Sequence, residues 1–206
     1  PTGHGKTSLL QTFTHSFVDN NVPVLWFSYE VTGMGFFEKF NFDSNMFKAY
    51  APSVLVDADL DWIEQRIVEG VAKFDTRIVF IDDLHHLVSL NLLSKVQNTS
   101  LAIGLLMDRM KGIARKTGVI IFLVAHVTKV AFDEVATIAD IRDSSFIPQH
   151  ADTVLVLNRI IEKDKNDVKH RIMTNRAILS VQKNRASGRT GKLEIAYNNN
   201  LYQEID

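Results

Sequence analysis

Stretches of helical and strand-like hydrophobicity alternate along the first two thirds of the chain. Amphipathic stretches predict helices, and short, almost wholly apolar runs that stop at a polar residue predict buried strands. The predicted helices are 6–19, 32–42, 59–74 and 99–116, the predicted strands are 22–29, 77–81 and 119–125, and 84–98 is predicted as a loop. Strands that are apolar throughout are typical of a parallel sheet covered by helices on both faces.

Beyond Asp152 the pattern changes to strands joined by tight turns. The predicted strands are 153–158, 177–183, 192–197 and 202–205, and the charged stretch 162–169 is predicted as a solvated hairpin tip. Such runs favour antiparallel pairing. We therefore predict an α/β fold with a mainly parallel, twisted sheet flanked by helices and with antiparallel strands at its C-terminal edge.

The amino-acid composition excludes some classes of function for this chain. The chain has 206 residues, which suffice for one domain with a sizeable core. Its 23 basic and 24 acidic side chains lack the excess positive charge of a nucleic-acid coat, so nucleic-acid binding would need local patches. The absence of cysteine excludes disulfides and thiolate zinc sites. No apolar run is long enough to span a bilayer, so a membrane is not an expected partner.

Residues 2–8 read Thr-Gly-His-Gly-Lys-Thr-Ser, the end of a phosphate-binding P-loop. The full pattern needs another glycine five positions before Gly5, ahead of Pro1, so we expect a fragment that lacks the first P-loop glycine and the first strand. Backbone N–H groups of such a loop surround the β-phosphate, Lys6 reaches the β- and γ-phosphates, and the Thr7 hydroxyl holds Mg²⁺. The predicted cofactors are thus ATP, or another nucleoside triphosphate, and Mg²⁺. The predicted nucleotide-binding residues are Thr2, Gly3, His4, Gly5, Lys6, Thr7 and Ser8.

Polar residues stand where three of the predicted strands end, and ligands collect at the carboxyl ends of parallel strands. Asp82 has the form of a Walker B aspartate that holds Mg²⁺. Glu30 is a candidate for polarising the water that attacks the γ-phosphate, and Asp83 is the alternative for that role. His126 is a candidate for a hydrogen bond to the γ-phosphate, with a structural histidine as the alternative.

The order of these motifs resembles the RecA-like motor domain of the DnaB-family replicative helicases, a group that includes phage primase-helicases and the mitochondrial Twinkle helicase. The resemblance covers nearly the whole chain, and its most specific parts are the D-[IL]-R-x-S stretch and the K-x-R-x-G-x-x-G tail. The motifs are GHGKT, WFSYE, VFIDDLHHL, FLVAHVTK, DIRDSSFIPQHADTVLVLNR and QKNRASGRTGKLEIAYN.

The resemblance implies one motor domain over 1–206, working in a ring that is usually hexameric. Such rings hydrolyse nucleoside triphosphate between subunits and move 5′ to 3′ on single-stranded DNA. By resemblance, Glu30 is the catalytic glutamate, Asp82 the metal aspartate and His126 the γ-phosphate sensor. Lys183 and Arg185 match the basic pair offered to the neighbouring subunit's nucleotide, with Arg185 as the arginine finger. Primase, fused or separate, is a further implied partner, and the implied location is the cytoplasm or a phage-infected cell, or the mitochondrial matrix for a Twinkle-like protein.

Two segments are predicted to face the channel of such a ring, one after Asp82 and the other over 127–145. The second carries Lys129 and Arg142 near its ends. Backbone N–H groups and a few cations there can follow DNA phosphates without reading bases. The segment is nevertheless net acidic, because it also contains Asp133, Glu134, Asp140 and Asp143.

Two alternatives share the same sequence features. One is a recombinase or clock-type RecA relative that hydrolyses nucleotide but does not unwind DNA. The other is a regulatory P-loop ATPase that acts on no nucleic acid.

Overall fold

The computed structural model of the protein describes residues 5–31, 33–40, 42, 44–52, 59–91, 99–127, 135–141, 145–163 and 171–205. The helices are α1 (Lys6–Asp19), α2 (Met34–Lys39), α3 (Leu60–Phe74), α4 (Leu84–Asn91), α5 (Thr99–Thr117) and α6 (Phe146–His150), with a 3₁₀ turn at Ile138–Asp140. The strands are β1 (Val24–Ser28), β2 (Phe47–Tyr50), β3 (Ile78–Asp82), β4 (Ile120–Leu123), β5 (Thr153–Lys163), β6 (Arg171–Asn184), β7 (Gly191–Asn198) and β8 (Leu201–Glu204).

The chain divides into two compact units. The first comprises Pro1–Thr12, His126–Arg142 and Ala151–Asp206, and the second comprises Phe13–Ala125 and Asp143–His150. We call them the antiparallel unit and the parallel unit, after the sheet that each contains. The extent of a single domain over 1–206 stays a prediction.

The parallel unit contains a four-stranded sheet in the order β2-β1-β3-β4, with all neighbours parallel. Every residue of β1 and of β3 is buried. These two strands are neighbours in register, so that Ser28 lies opposite Asp82 at their carboxyl ends. The apolar runs thus form the centre of the sheet, as the hydrophobic pattern predicts.

Aromatic side chains fill the core beside this sheet. The Trp26 ring lies 4.6 Å from that of Phe40 and 4.9 Å from that of Phe80, centroid to centroid. The indole N–H of Trp26 donates to the Thr14 hydroxyl at 2.9 Å, so its polar atom is satisfied although the side chain is fully buried. This packing fixes α1 and α2 against the strands that lead to the acidic residues.

Two elements of the parallel unit differ from the prediction. Residues 84–91 form α4, where the sequence predicts a loop. Leu84, Leu87 and Val88 are buried at helical spacing, which explains why the segment folds onto the core. Strand β2 was not predicted at all, because four residues are too few to show an alternating pattern. Helix α2 is also shorter than the predicted 32–42.

The antiparallel unit contains a sheet in the order β5-β6-β7-β8. All four predicted strands are present, but β5 and β6 extend to 11 and 14 residues. Residues 162 and 163 therefore belong to β5 and pair with β6, and the predicted hairpin tip does not begin at 162. The rest of that tip, 164–169, lies outside the described residues.

Among the helices in the described part of the chain, none is both long and apolar enough to cross a bilayer.

Candidate active site

The described part of the P-loop begins at Gly5. Its φ of +87° lies in the region that favours glycine, and its carbonyl accepts the Leu9 N–H at 2.9 Å, which starts α1. The first N–H groups of a helix of this length form a site for an anion such as phosphate. Thr2, Gly3 and His4 lie outside the described residues, so their contacts with nucleotide stay predictions.

Tyr202 of β8 covers this glycine. A Cβ atom on Gly5 would overlap the Tyr202 hydroxyl oxygen, so a larger residue at this position would require the tyrosine ring to move. The Tyr202 N–H donates to the Thr12 hydroxyl at 2.9 Å, and that hydroxyl donates to the Ser8 carbonyl at 3.0 Å. Burial raises the pKa of the Tyr202 hydroxyl, which keeps it protonated. Tyr202 belongs to none of the motifs above, and no local pattern in the sequence marks it as part of the site.

Lys6 and His126 meet in the antiparallel unit. The Lys6 ammonium lies 3.4 Å from Nδ1 of His126, although 120 residues separate them in sequence. A neutral imidazole can accept a hydrogen bond from the ammonium through that nitrogen. Lys6 is predicted to contact the β- and γ-phosphates, and His126 is predicted to sense the γ-phosphate. The two side chains are therefore in contact with each other.

Three carboxylates cluster in the parallel unit. One oxygen from each of Glu30, Asp82 and Asp83 lies within 4.8 Å of the others. The two aspartates are 1% exposed, whereas Glu30 is exposed. They meet because β1 and β3 end side by side, with the Tyr29 and Glu30 N–H groups donating to the Asp82 carbonyl at 2.6 and 3.2 Å.

This cluster suits a hard divalent cation. Carboxylate oxygens are the protein ligands that Mg²⁺ prefers, and it is bound through one or two of them together with phosphate oxygens. Two buried carboxylates beside a third carry negative charge that a cation would offset. Asp82 and its neighbours therefore fit the predicted magnesium site.

Asp83 also has a structural task. Its Oδ1 accepts the backbone N–H of His86 at 3.0 Å and lies 2.8 Å from His86 Nδ1. The first contact is that of a helix cap, and α4 begins at the next residue, Leu84. Glu30, the other candidate base, follows the end of β1 with its side chain exposed.

Lys183 and Arg185 lie where β6 turns into β7. The Asn184 side chain accepts the N–H groups of Ala186 and Ser187 at 3.1 and 3.4 Å, which shapes the turn. The Arg185 N–H donates to the Asp152 carbonyl at 2.8 Å, and its guanidinium lies 3.6 Å from the Asp152 carboxylate. The Arg185 side chain is half exposed. A hydrogen-bonded turn thus presents it at the surface.

Comparison with known proteins identifies the family and the fold. Residues 56–204 match the family model described as the DnaB-like helicase C terminal domain. No curated protein sequence matches the chain.

Two solved structures share its fold. One, of a DnaB-like replicative helicase and its interactions with primase, superposes with a TM-score of 0.75 at 16% identity and covers 100% of this chain and 57% of that one. Another, an ATPase domain, gives a TM-score of 0.74 at 16% identity and covers 100% of this chain and 82% of that one. The chain thus spans little more than half of the first of these proteins. The predicted RecA-like α/β fold is confirmed, and because the family model matches well over half of its residues, the chain belongs to the family of DnaB-like helicase C-terminal domains.

Proposed function

We propose that this chain is the motor of a replicative DNA helicase, which hydrolyses nucleoside triphosphate at subunit interfaces of a ring and moves 5′ to 3′ on single-stranded DNA. The observation that carries the proposal is the meeting of Glu30, Asp82 and Asp83 at the ends of two parallel strands, in a chain with a P-loop lysine. Family membership supports the helicase context.

In this proposal the P-loop binds the triphosphate. Backbone N–H groups from Thr2 to Ser8 surround the phosphates, and Lys6 neutralises charge on the β- and γ-phosphates. Thr7 and Asp82 would hold Mg²⁺, which supplies further neutralisation of the phosphate charge when bound.

Hydrolysis needs a base for the attacking water and stabilisation of the charge that develops. Glu30 orients the water and takes its proton, because its carboxylate is exposed beside the metal aspartate. His126 donates a hydrogen bond to the γ-phosphate and registers its loss. Arg185 of the next subunit, assisted by Lys183, places a permanent forked cation against the transferring phosphoryl group.

Single-stranded DNA is the proposed track, bound by the segment after Asp82 and by 127–145. The first of these segments begins with α4. In the second, the Asp140 carboxylate accepts hydrogen bonds from the Thr137 N–H and hydroxyl at 2.8 Å each, and these bonds lower its pKa. The Asp140 carboxylate therefore stabilises the 3₁₀ turn as part of its capping box. Lys129, Asp133, Glu134, Arg142 and Asp143 lie outside the described residues.

We further propose primase, fused or separate, as a partner and a hexamer as the ring. The support for primase is the similar helicase structure that was solved with its primase interactions.

A forked duplex tests the proposal. We expect the full-length protein, with nucleoside triphosphate and Mg²⁺, to displace the strand when the fork offers a 5′ single-stranded tail, and Lys6→Ala to abolish displacement. DNA-stimulated hydrolysis without displacement would favour a recombinase or clock-type relative. Hydrolysis that ignores DNA would favour a regulatory ATPase.

A further inference from the structure

Two side-chain amides hold residues 135–141, which we call the anchored segment, against the antiparallel sheet. Asn158 of β5 is 9% exposed. Its Oδ1 accepts the Ala136 N–H at 2.9 Å, and its Nδ2 donates to the Ala136 carbonyl at 3.0 Å. The N–H and the carbonyl of Ala136 are thereby both hydrogen-bonded to one side chain, much as they would be to a neighbouring strand.

Gln182 of β6 provides the second attachment. Its Oε1 accepts the Ile138 N–H at 2.6 Å. Its Nε2 donates to the Ser180 hydroxyl at 3.3 Å, which in turn donates to the Val156 carbonyl at 3.2 Å. The hydrogen bond to Ser180 therefore orients the Gln182 amide so that its oxygen can accept the Ile138 N–H.

Packing and local hydrogen bonds give the anchored segment a defined shape. Thr137 and Asp140 form a capping box around the 3₁₀ turn. A β-bridge joins Val127 to Ile141 at the two ends of 127–141. A small apolar cluster covers the sheet side, built from Ala136, Val154 and Val156 with Val127, Ile138, Ile141 and Ala151 packed against it.

Strand β6 leads directly from this attachment to the proposed arginine finger. Gln182 precedes Lys183 and stands three residues before Arg185, whose N–H is bonded to the Asp152 carbonyl. The same end of one strand therefore carries the attachment of the anchored segment and the basic pair. A displacement of the segment would act on β6 close to Arg185.

We propose that Gln182 and Asn158 are positioning residues that couple DNA contact on the anchored segment to the placement of Arg185. This inference rests on the proposed function, in which 127–145 approaches DNA. The attachments are made by side chains, so the segment can shift without breaking the β5–β6 ladder. Each neutral hydrogen bond contributes modestly to stability, so binding of DNA can change its occupancy.

The test removes the Ile138–Gln182 bond from either side in the full-length protein. Gln182→Met keeps the side-chain length and loses the acceptor, whereas Gln182→Glu keeps the acceptor. Ile138→Pro removes the donor; proline suits the first position of a helical turn, and Thr137, at φ −123° and ψ 177°, has the extended backbone that a following proline requires. Gln203→Met, at an exposed position of β8, is the matched control.

The readout is the ratio of the hydrolysis rate with single-stranded DNA to the rate without it. We expect Gln182→Met and Ile138→Pro each to lower this ratio by about fivefold or more, the lower range of measured couplings between sites. In Gln182→Met, hydrolysis without DNA should stay within about twofold of wild type, because the Asp152 carbonyl holds Arg185 separately. Gln182→Glu and Gln203→Met should behave like wild type. The double variant Gln182→Met/Ile138→Pro should lose no more DNA stimulation than either single variant.

Stimulation that survives both Gln182→Met and Ile138→Pro would overturn the coupling while leaving the proposed function intact. So would additive losses in the double variant. If Gln182→Met fails to fold, Ile138→Pro decides; if both lose their thermal transition, or lose hydrolysis without DNA as well, the attachment is structural only and the inference is wrong. A wild-type protein that DNA does not stimulate would instead remove the proposed function, and the inference with it.

Discussion

Glu30 and Asp83 lie close enough to act on the same water, but the structure holds them differently. Asp83 is buried and receives the His86 N–H as a helix cap. Glu30 is exposed, and its backbone N–H donates to the Asp82 carbonyl. An aspartate engaged in a cap has less freedom to reorient during proton transfer than a glutamate at a strand end.

Glu30→Gln should therefore keep nucleotide binding and lose hydrolysis by about 10²- to 10⁴-fold, the usual contribution of a general base. Asp83→Asn should have a smaller effect, since an amide oxygen still accepts the His86 N–H. Turnover rates and nucleotide dissociation constants for both variants provide the measurement. An inactive Asp83→Asn beside an active Glu30→Gln would assign the base to Asp83.

Sequence reasoning places some residues of the site and misses others, for a physical reason. Lys6, Glu30 and Asp82 stand next to local signals, a glycine-rich turn or the end of an apolar run, so their positions can be read from neighbours in the chain. Their catalytic roles stay predictions. Tyr202 and Gln182 act through contacts with residues far away in sequence, and a local pattern carries no trace of such contacts.

At the scale of elements, the prediction succeeds where one face is strongly apolar and fails for short pieces. The apolar strands β1 and β3 are found at nearly their predicted positions. Helix α4 was missed because two adjacent histidines interrupt its apolar positions, although a cap at Asp83 precedes it. Strand β2 exists because β1 offers it an edge, which is tertiary information.

Two helical glycines test how closely the helices that contain them are packed. A Cβ on Gly70 of α3 would lie 3.0 Å from the Thr76 hydroxyl oxygen and 3.2 Å from Leu25 Cδ2, both in buried side chains, whereas a Cβ on Gly112 of α5 meets nothing within 4 Å. Gly112→Ala should stabilise the protein by about 0.5–1 kcal/mol through helix propensity. Gly70→Ala should destabilise it by about 1–3 kcal/mol through overpacking.

Unfolding in denaturant, with the midpoints compared at equal slope, measures both changes. If both alanines stabilised the protein equally, α3 would not pack as closely on Leu25 and Thr76 as the structure shows.

In the proposed ring, two neighbouring chains contribute residues to each active site. The Lys6–His126 pair belongs to the chain that binds the nucleotide, whereas Arg185 is presented on a surface turn. A guanidinium that serves a neighbour must be exposed in its own chain, and Arg185 meets that condition.

Mixing variants tests this division. Arg185→Ala should still bind nucleotide but lose hydrolysis by about a thousandfold, the lower range for arginine fingers, and Lys6→Ala should lose hydrolysis through its own P-loop. Rings that contain both variants should regain activity, because some interfaces then combine an intact P-loop with an intact finger. The measurement is hydrolysis by the mixture against each variant alone. Rings that exchange subunits without any rescue would return Arg185 to a surface role.

The contact between Tyr202 and the P-loop helix also affects how the protein is made. The Tyr202 N–H and the Thr12 hydroxyl that accepts it are 190 residues apart, so during translation the helix leaves the ribosome long before its partner strand exists. Contacts of such separation form late, after nearer ones have already closed. Gly5 and the neighbouring Lys6 are therefore synthesised long before Tyr202, and Gly5 acquires its tyrosine cover only when β8 has been synthesised. The start of the P-loop helix reaches the packing of the folded chain only at that point.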